Sequence, residues 1–118
     1  MAYAYNDDKS KRHIAVIAGK APNVTAGGYV FKDVGLNRLM EDYGIDDPYQ
    51  YTVIGTVIGP EIENNNSYLE ANSNLFRIRV VCYHNHMSIL VYNDSSSTYT
   101  LNYRIVLART DEPFVVMS

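Results

Sequence analysis

Histidine, cysteine and paired carboxylates are the side chains with which a small domain most readily does chemistry, and this chain sets several of them close together. His84 and His86 flank Asn85, two residues beyond Cys82. Such a trio could ligate a metal or, by its letters alone, mark an HNH-type nuclease. A structural zinc needs four nitrogen or sulfur ligands, and His13 is the only other histidine. No ββα-metal pattern surrounds the trio. Asparagine tolerates the left-handed backbone of a tight hairpin, and histidine is enriched there among bulky residues. Residues 84–86 therefore read as a hairpin tip, and no metal is expected. Cys82 is the single cysteine and cannot form an internal disulfide. It falls in an apolar strand pattern, where a thiol packs as a small hydrophobe; a nucleophile would need a neighbouring base and partial exposure.

Other groupings fall short in the same way. Gly19-Lys20 follows an apolar strand as in a phosphate loop, but no glycine precedes Gly19 by five residues and Ala21 replaces the magnesium-holding hydroxyl. Acid pairs stand at Asp7-Asp8, Glu41-Asp42, Asp46-Asp47, Glu61/Glu63 and Asp111-Glu112. Carboxylates acting as acid and base must converge in a cleft, and these read as solvated charges in loops and exposed turns. Ser95-Ser96-Ser97 has no G-x-S-x-G setting. The expectation is a protein that is not an enzyme and takes no cofactor.

The elements behind these residues are mostly strands. The chain has 118 residues, 47% of them hydrophobic and 19% charged, enough for one domain with its own core. Residues 1–12 read as a flexible arm and 13–118 as a single β-rich domain. "HIAVIA", from His13 to Ala18, is a buried strand ended by Gly19 and Pro22. The credible helix spans residues 33–44: Asp33 can cap it, Leu36, Leu39 and Met40 recur at helical spacing, and Gly44 ends it. Tyr49 to Gly59 is a strand whose internal Gly55 implies a bulge or a close backbone approach. Glu61 to Asn74 has the composition of an exposed loop. Leu75–Tyr83, Met87–Tyr92 and Thr98–Arg109 read as a three-strand antiparallel meander, and Phe114–Met117 as an edge strand. The predicted core comprises Ile14, Val16, Leu39, Val53, Ile78, Val80, Ile89, Val91, Leu101, Ile105 and Leu107. This makes a mostly-β domain, an antiparallel sandwich or jelly-roll-like barrel of six to eight strands with one short helix.

Composition narrows the partners. A net charge of −3 argues against nucleic acid, and no stretch approaches the roughly 20 apolar residues of a membrane span. Residues 1–5 lack the features of a signal peptide, which points to the cytoplasm or a particle assembled there. Eleven tyrosines with no tryptophan suit a sheet protein that presents surfaces. Arg77, Arg79 and Arg104 fall on the non-core face of long strands, with Val81, Tyr83 and Tyr92 near them. Arginine and tyrosine are the residues enriched at binding hot spots, so these six are the candidate interface. A carbohydrate-binding module is the alternative, with Tyr51, Tyr68, Tyr83 and Tyr92 as its stacking candidates. A small enzyme without a recognisable motif is the second alternative.

The stretch "HMSILVYNDSSSTYTLNYRIVLAR" resembles the terminal hairpins of small β-sandwich domains in bacteriophage tail fibres, baseplates and capsid decorations. That resemblance covers the last third of the chain. It implies a non-enzymatic virion protein that self-associates as a trimer or dimer and attaches to other virion proteins or to a host surface, with surface glycans as a further partner.

Overall fold

A computed structural model describes residues 13–62, 66–67, 69 and 74–109. Long strands dominate it: β1 (Ile14–Val24), β2 (Tyr29–Gly35), β3 (Tyr51–Ile62), β4 (Asn66–Ser67), β5 (Phe76–Cys82), β6 (His86–Asn93) and β7 (Tyr99–Arg109). One helix, α1 (Leu36–Tyr43), and a 3-10 turn at Pro48–Gln50 join β2 to β3. The strands form two antiparallel sheets, in the orders β1-β7-β3-β4 and β2-β6-β5, packed face to face. The protein is a β-sandwich with one short helix. The proposed arm 1–12 and the proposed edge strand Phe114–Met117 lie outside the described residues.

The core forms between the inner faces. From the first sheet come Ala15, Ile17, Ile58, Leu101, Ile105 and Leu107, and from the second Val34, Phe76, Met87, Ile89 and Val91, all buried. Leu39 of α1 and Ile45 close one end. Leu39, Ile89, Val91, Leu101, Ile105 and Leu107 are buried as predicted, and Val53, Ile78 and Val80 are partly buried against this cluster. Ile14 and Val16 are not: they stand half exposed, 49% and 50%. "HIAVIA" is apolar in both parities, so alternation alone cannot choose its inner face. Pairing chooses it, because Ile17 lies opposite the buried Ile105 of β7, which turns Ile14 and Val16 outward beside Ala108 and Val106.

Strand β1 does not end at Gly19 but continues to Val24. Gly19 faces Tyr103 across the ladder, and a side chain there would collide with the Tyr103 ring, so the glycine makes room for the aromatic. Pro22 is tolerated because β1 is an edge strand. It sits where the register shifts between Ala21 and Val24, beside Asn23 in the left-handed region at φ 52°. Strand β3 begins at Tyr51, two residues later than expected, because Tyr49 and Gln50 belong to the 3-10 turn. It runs through Pro60 to Ile62. Gly55 marks a true bulge, with a register shift between Val53 and Gly55 that leaves Ile54 as the extra, exposed residue.

The helix is shorter than the predicted 33–44. Asp33 stays in β2 opposite Ser88, whose hydroxyl donates to its carboxylate at 2.5 Å. No side chain caps the helix start at Gly35. Gly44 ends the helix in the left-handed conformation, φ 72°, its N–H donating to the Met40 carbonyl.

The largest departure from expectation concerns the meander. β5 and β6 form the expected hairpin, but β7 leaves them and pairs with β1 and β3 in the opposite sheet. Asn93 holds this crossover. Its buried side-chain amide donates to the carbonyls of Val24 and Ser97, both at 2.8 Å, and its oxygen accepts from the Ser95 N–H and hydroxyl at 2.9 and 2.6 Å. One side chain thus joins the end of β6 to the end of β1 and shapes residues 94–98.

Candidate functional site

Five of the six predicted interface residues share one surface. In β5, Phe76, Ile78 and Val80 point into the sandwich, so Arg77, Arg79 and Val81 point out. In β6, alternation turns Leu90 and Tyr92 to the same outer side, and β2 adds Tyr29 and Phe31. The ladder aligns these residues in rows. Tyr29, Tyr92 and Arg77 form the first, and Phe31, Leu90 and Arg79 the second. Tyr83, at the end of the hairpin, stacks on His86 with ring centroids 4.4 Å apart.

The first row is organised by charge and ring contact. The Arg77 guanidinium lies 4.5 Å from the centre of the Tyr92 ring, and its Nε donates to Asp94 at 2.7 Å. That hydrogen bond and the Asp94 charge raise the pKa of the Arg77 guanidinium, which as an arginine is cationic in any case. Arg79, one row along, has no ion-pair partner among the described residues. Tyr29 and Phe31 are 64% and 53% exposed. Two arginines with four bulky apolar or aromatic neighbours on one sheet face are hot-spot chemistry.

Arg104 does not belong here. It lies on β7, in the other sheet, between Ala18 and Val57 on the opposite outer face. The error follows directly from the crossover: read as a third meander strand, β7 would have put Arg104 beside Arg77 and Arg79. Tyr29 and Phe31 escape a sequence-based reading because only the long-range pairing of β2 with β6 brings them to the face.

The remaining chemical candidates resolve into structural roles. His84 and Asn85 form the link between β5 and β6, closed by the Tyr83 N–H donating to the His86 carbonyl at 2.9 Å. The His84 ring packs against Tyr49 at 4.4 Å, its Nδ1 3.2 Å from Asp47. Among the described residues, no three or more His, Cys, Asp or Glu side chains come together to hold a metal. Asp46 and Asp47 are not merely solvated. The Asp46 carboxylate accepts from Arg109 at 2.6 Å, tying the 3-10 turn to the end of β7, and Asp47 caps that turn by accepting from the Tyr49 N–H. Tyr51 is buried and cannot stack on a sugar; the side chain of Tyr68 lies outside the described residues. Tyr29 and Tyr92 are tilted by 40° with centroids 6.0 Å apart, so they form no flat platform.

Cys82 packs against the core, and burial pushes its thiol pKa up. The thiolate is the reactive form. Alkylation of the native protein near neutral pH is therefore expected to be slower than that of an unstructured cysteine, and denaturant should remove the difference. A native rate equal to the denatured one would show an accessible, activated thiol. No described helix is long and apolar enough to cross a membrane. No protein-family model, curated protein or solved structure matches this chain.

Proposed function

We propose that this protein is a non-enzymatic structural protein that self-associates, as a trimer or dimer, through the outer face of the β2-β6-β5 sheet. The observation that carries the reading is the continuous outer surface of exposed Tyr29 and Phe31 with half-buried Leu90 and Tyr92, edged by Arg77 and Arg79. A sheet face meant for water would alternate with small polar residues. The opposite outer face supports the same reading. Ile14, Val16 and Ile54 are exposed there, with Val106 beside Val16, which leaves a second surface for other proteins of an assembly. A net charge of −3 opposes association only weakly. The resemblance of the last third to phage sandwich domains makes a virion the natural setting and other virion proteins the natural partners.

Sedimentation equilibrium of the full chain at micromolar concentration tests the reading. The expected result is a mass two or three times the 13.4 kDa of one chain; a mass near 13.4 kDa defeats it. Within an oligomer, Arg79→Ala and Tyr83→Ala should each weaken association about tenfold, or ~1.4 kcal/mol. His84→Ala, at the hairpin tip, should do less. If Ile54→Ser has the larger effect, the contact uses the aliphatic face of the other sheet instead.

A further inference from the structure

The two sheets part on one side of the sandwich, where the edge strands β1 and β2 face each other across a cleft of about 380 Å³. That volume falls within the roughly 300–1,000 Å³ of small-molecule sites. Ile17, Val34, Ile89 and Val91 line the apolar depth of the cleft. Its β1 wall is low, because Ala18, Gly19 and Ala21 offer almost no side chain and the Tyr103 ring lies over Gly19.

Three polar groups line this apolar space, two of them, Lys32 and Arg38, at its exposed rim. Lys32 lies opposite Ile89, at an inward-facing position of β2, and has no ion-pair partner among the described residues. Arg38 of α1 also lines the cleft, anchored by Asp42 one helical turn on at 3.2 Å. The Tyr103 hydroxyl has no hydrogen-bond partner among the described residues. Burial raises its pKa, Tyr43 raises it further and Arg38 opposes them. Tyr103 therefore stays a protonated donor with Tyr43 and Arg38 close by. An inward lysine on an edge strand does protect against edge-to-edge pairing. That role would be met by charge of either sign anywhere along β2, and it explains neither Arg38 nor Tyr103 at the same cleft.

We infer that this cleft binds a small amphipathic carboxylate, its apolar body between the sheets and its head group held by Lys32, Arg38 and the Tyr103 hydroxyl. Cations around an apolar pocket complement an anion with an apolar tail, and a carboxylate can accept from an ammonium, a guanidinium and a phenol together. The cleft is lined mainly by β1, α1 and the inner side of β2 and shares only Phe31 with the face proposed for self-association, so the two proposals can fail separately.

The probe is decanoate, below its micelle-forming concentration, titrated into the isotope-labelled full chain and followed by amide chemical shifts. Saturable shifts at Gly19, Lys32 and Tyr103 are expected, with decanol binding at least tenfold more weakly. Lys32→Glu keeps a charge on the edge strand but should abolish binding while preserving a dispersed native spectrum. Should that variant fail to fold, Tyr103→Phe, which keeps the ring over Gly19, should still weaken decanoate severalfold. The inference is overturned by the absence of saturable shifts, by equal binding of decanol, by shifts centred on Val16 and Ile54, or by unchanged affinity in the folded variants.

Discussion

Replacing Asn93 with alanine is expected to destabilise the fold by about 2–4 kcal/mol, because each buried polar group left without its partner costs roughly 1–3 kcal/mol. The side chain is fully buried and makes four hydrogen bonds: two donated to the Val24 and Ser97 carbonyls, two accepted from Ser95. Alanine fills less of the space and supplies none of them. The effect should exceed that of a typical surface polar truncation, which stays within about 0.5 kcal/mol, since Asn93 spans both sheets. Asn93→Asp separates the two halves of the network. An aspartate can still accept from Ser95, but its carboxylate oxygens would face the Val24 and Ser97 carbonyls, so it too should lose stability. Chemical denaturation with all three proteins checks this. A loss below about 0.5 kcal/mol for Asn93→Ala would mean that water or neighbouring groups replace the amide, and that the crossover is held by other contacts.

Asn93 also marks the boundary of what the sequence makes legible. The hairpin of β5 and β6 can be read because a short link of turn-forming residues joins two strands of opposite polarity, and such a link fixes register. Once register is fixed, Arg77, Arg79, Val81, Tyr83 and Tyr92 must share a face. The inner face of β7 can be read too, because Leu101, Tyr103 and Ile105 alternate with Thr100, Asn102 and Arg104, and the same parity carries on to Leu107. The sheet that β7 joins is not legible. Residues 94–98 are rich in serine and short, as a hairpin loop would be, and loop length alone does not distinguish a turn back from a step across to the other sheet. The asparagine before that loop is visible in the sequence, but its burial, which is what ties the crossover, shows only in the folded chain. Likewise the capping pattern of Asp33 is genuine as local chemistry, yet its pairing with Ser88 in β2 overrides it. The cleft was beyond reach, since Lys32, Arg38 and Tyr103 come from two strands in different sheets and a helix, and only the folded arrangement brings them together.

Ile105→Ala should cost about 2–5 kcal/mol, the range for truncating a buried isoleucine where the surroundings cannot collapse. Ile105 has no exposed surface and sits on β7, between β1 and β3, opposite Ile17 and Thr56. The facing layer of the same core cluster, which includes Ile89 and Val91, belongs to a different sheet. The cavity would therefore be lined by two rigid layers, neither of which can shift without breaking ladder hydrogen bonds. Val16→Ala provides the contrast. Sequence alternation cannot separate Val16 from Ile17, but half of Val16 is in water and its neighbour Val106 lies on the outer face. Less apolar area returns to solvent when Val16 is cut back, so at roughly 25 cal/mol per Å² its loss should stay below about 1 kcal/mol in the monomer. Urea denaturation at low protein concentration measures both without contribution from association. The ordering is what matters: Ile105 and Ile17 must be costly, Ile14 and Val16 cheap. If Val16→Ala costs as much as Ile105→Ala, the outer face of the β1-β7-β3 sheet is covered within a single chain, and that face is no longer free for a partner. If the order reverses, β1 is paired one residue away from the register that sets Ile17 opposite Ile105, because a shift of one residue exchanges every inward side chain of the strand for an outward one.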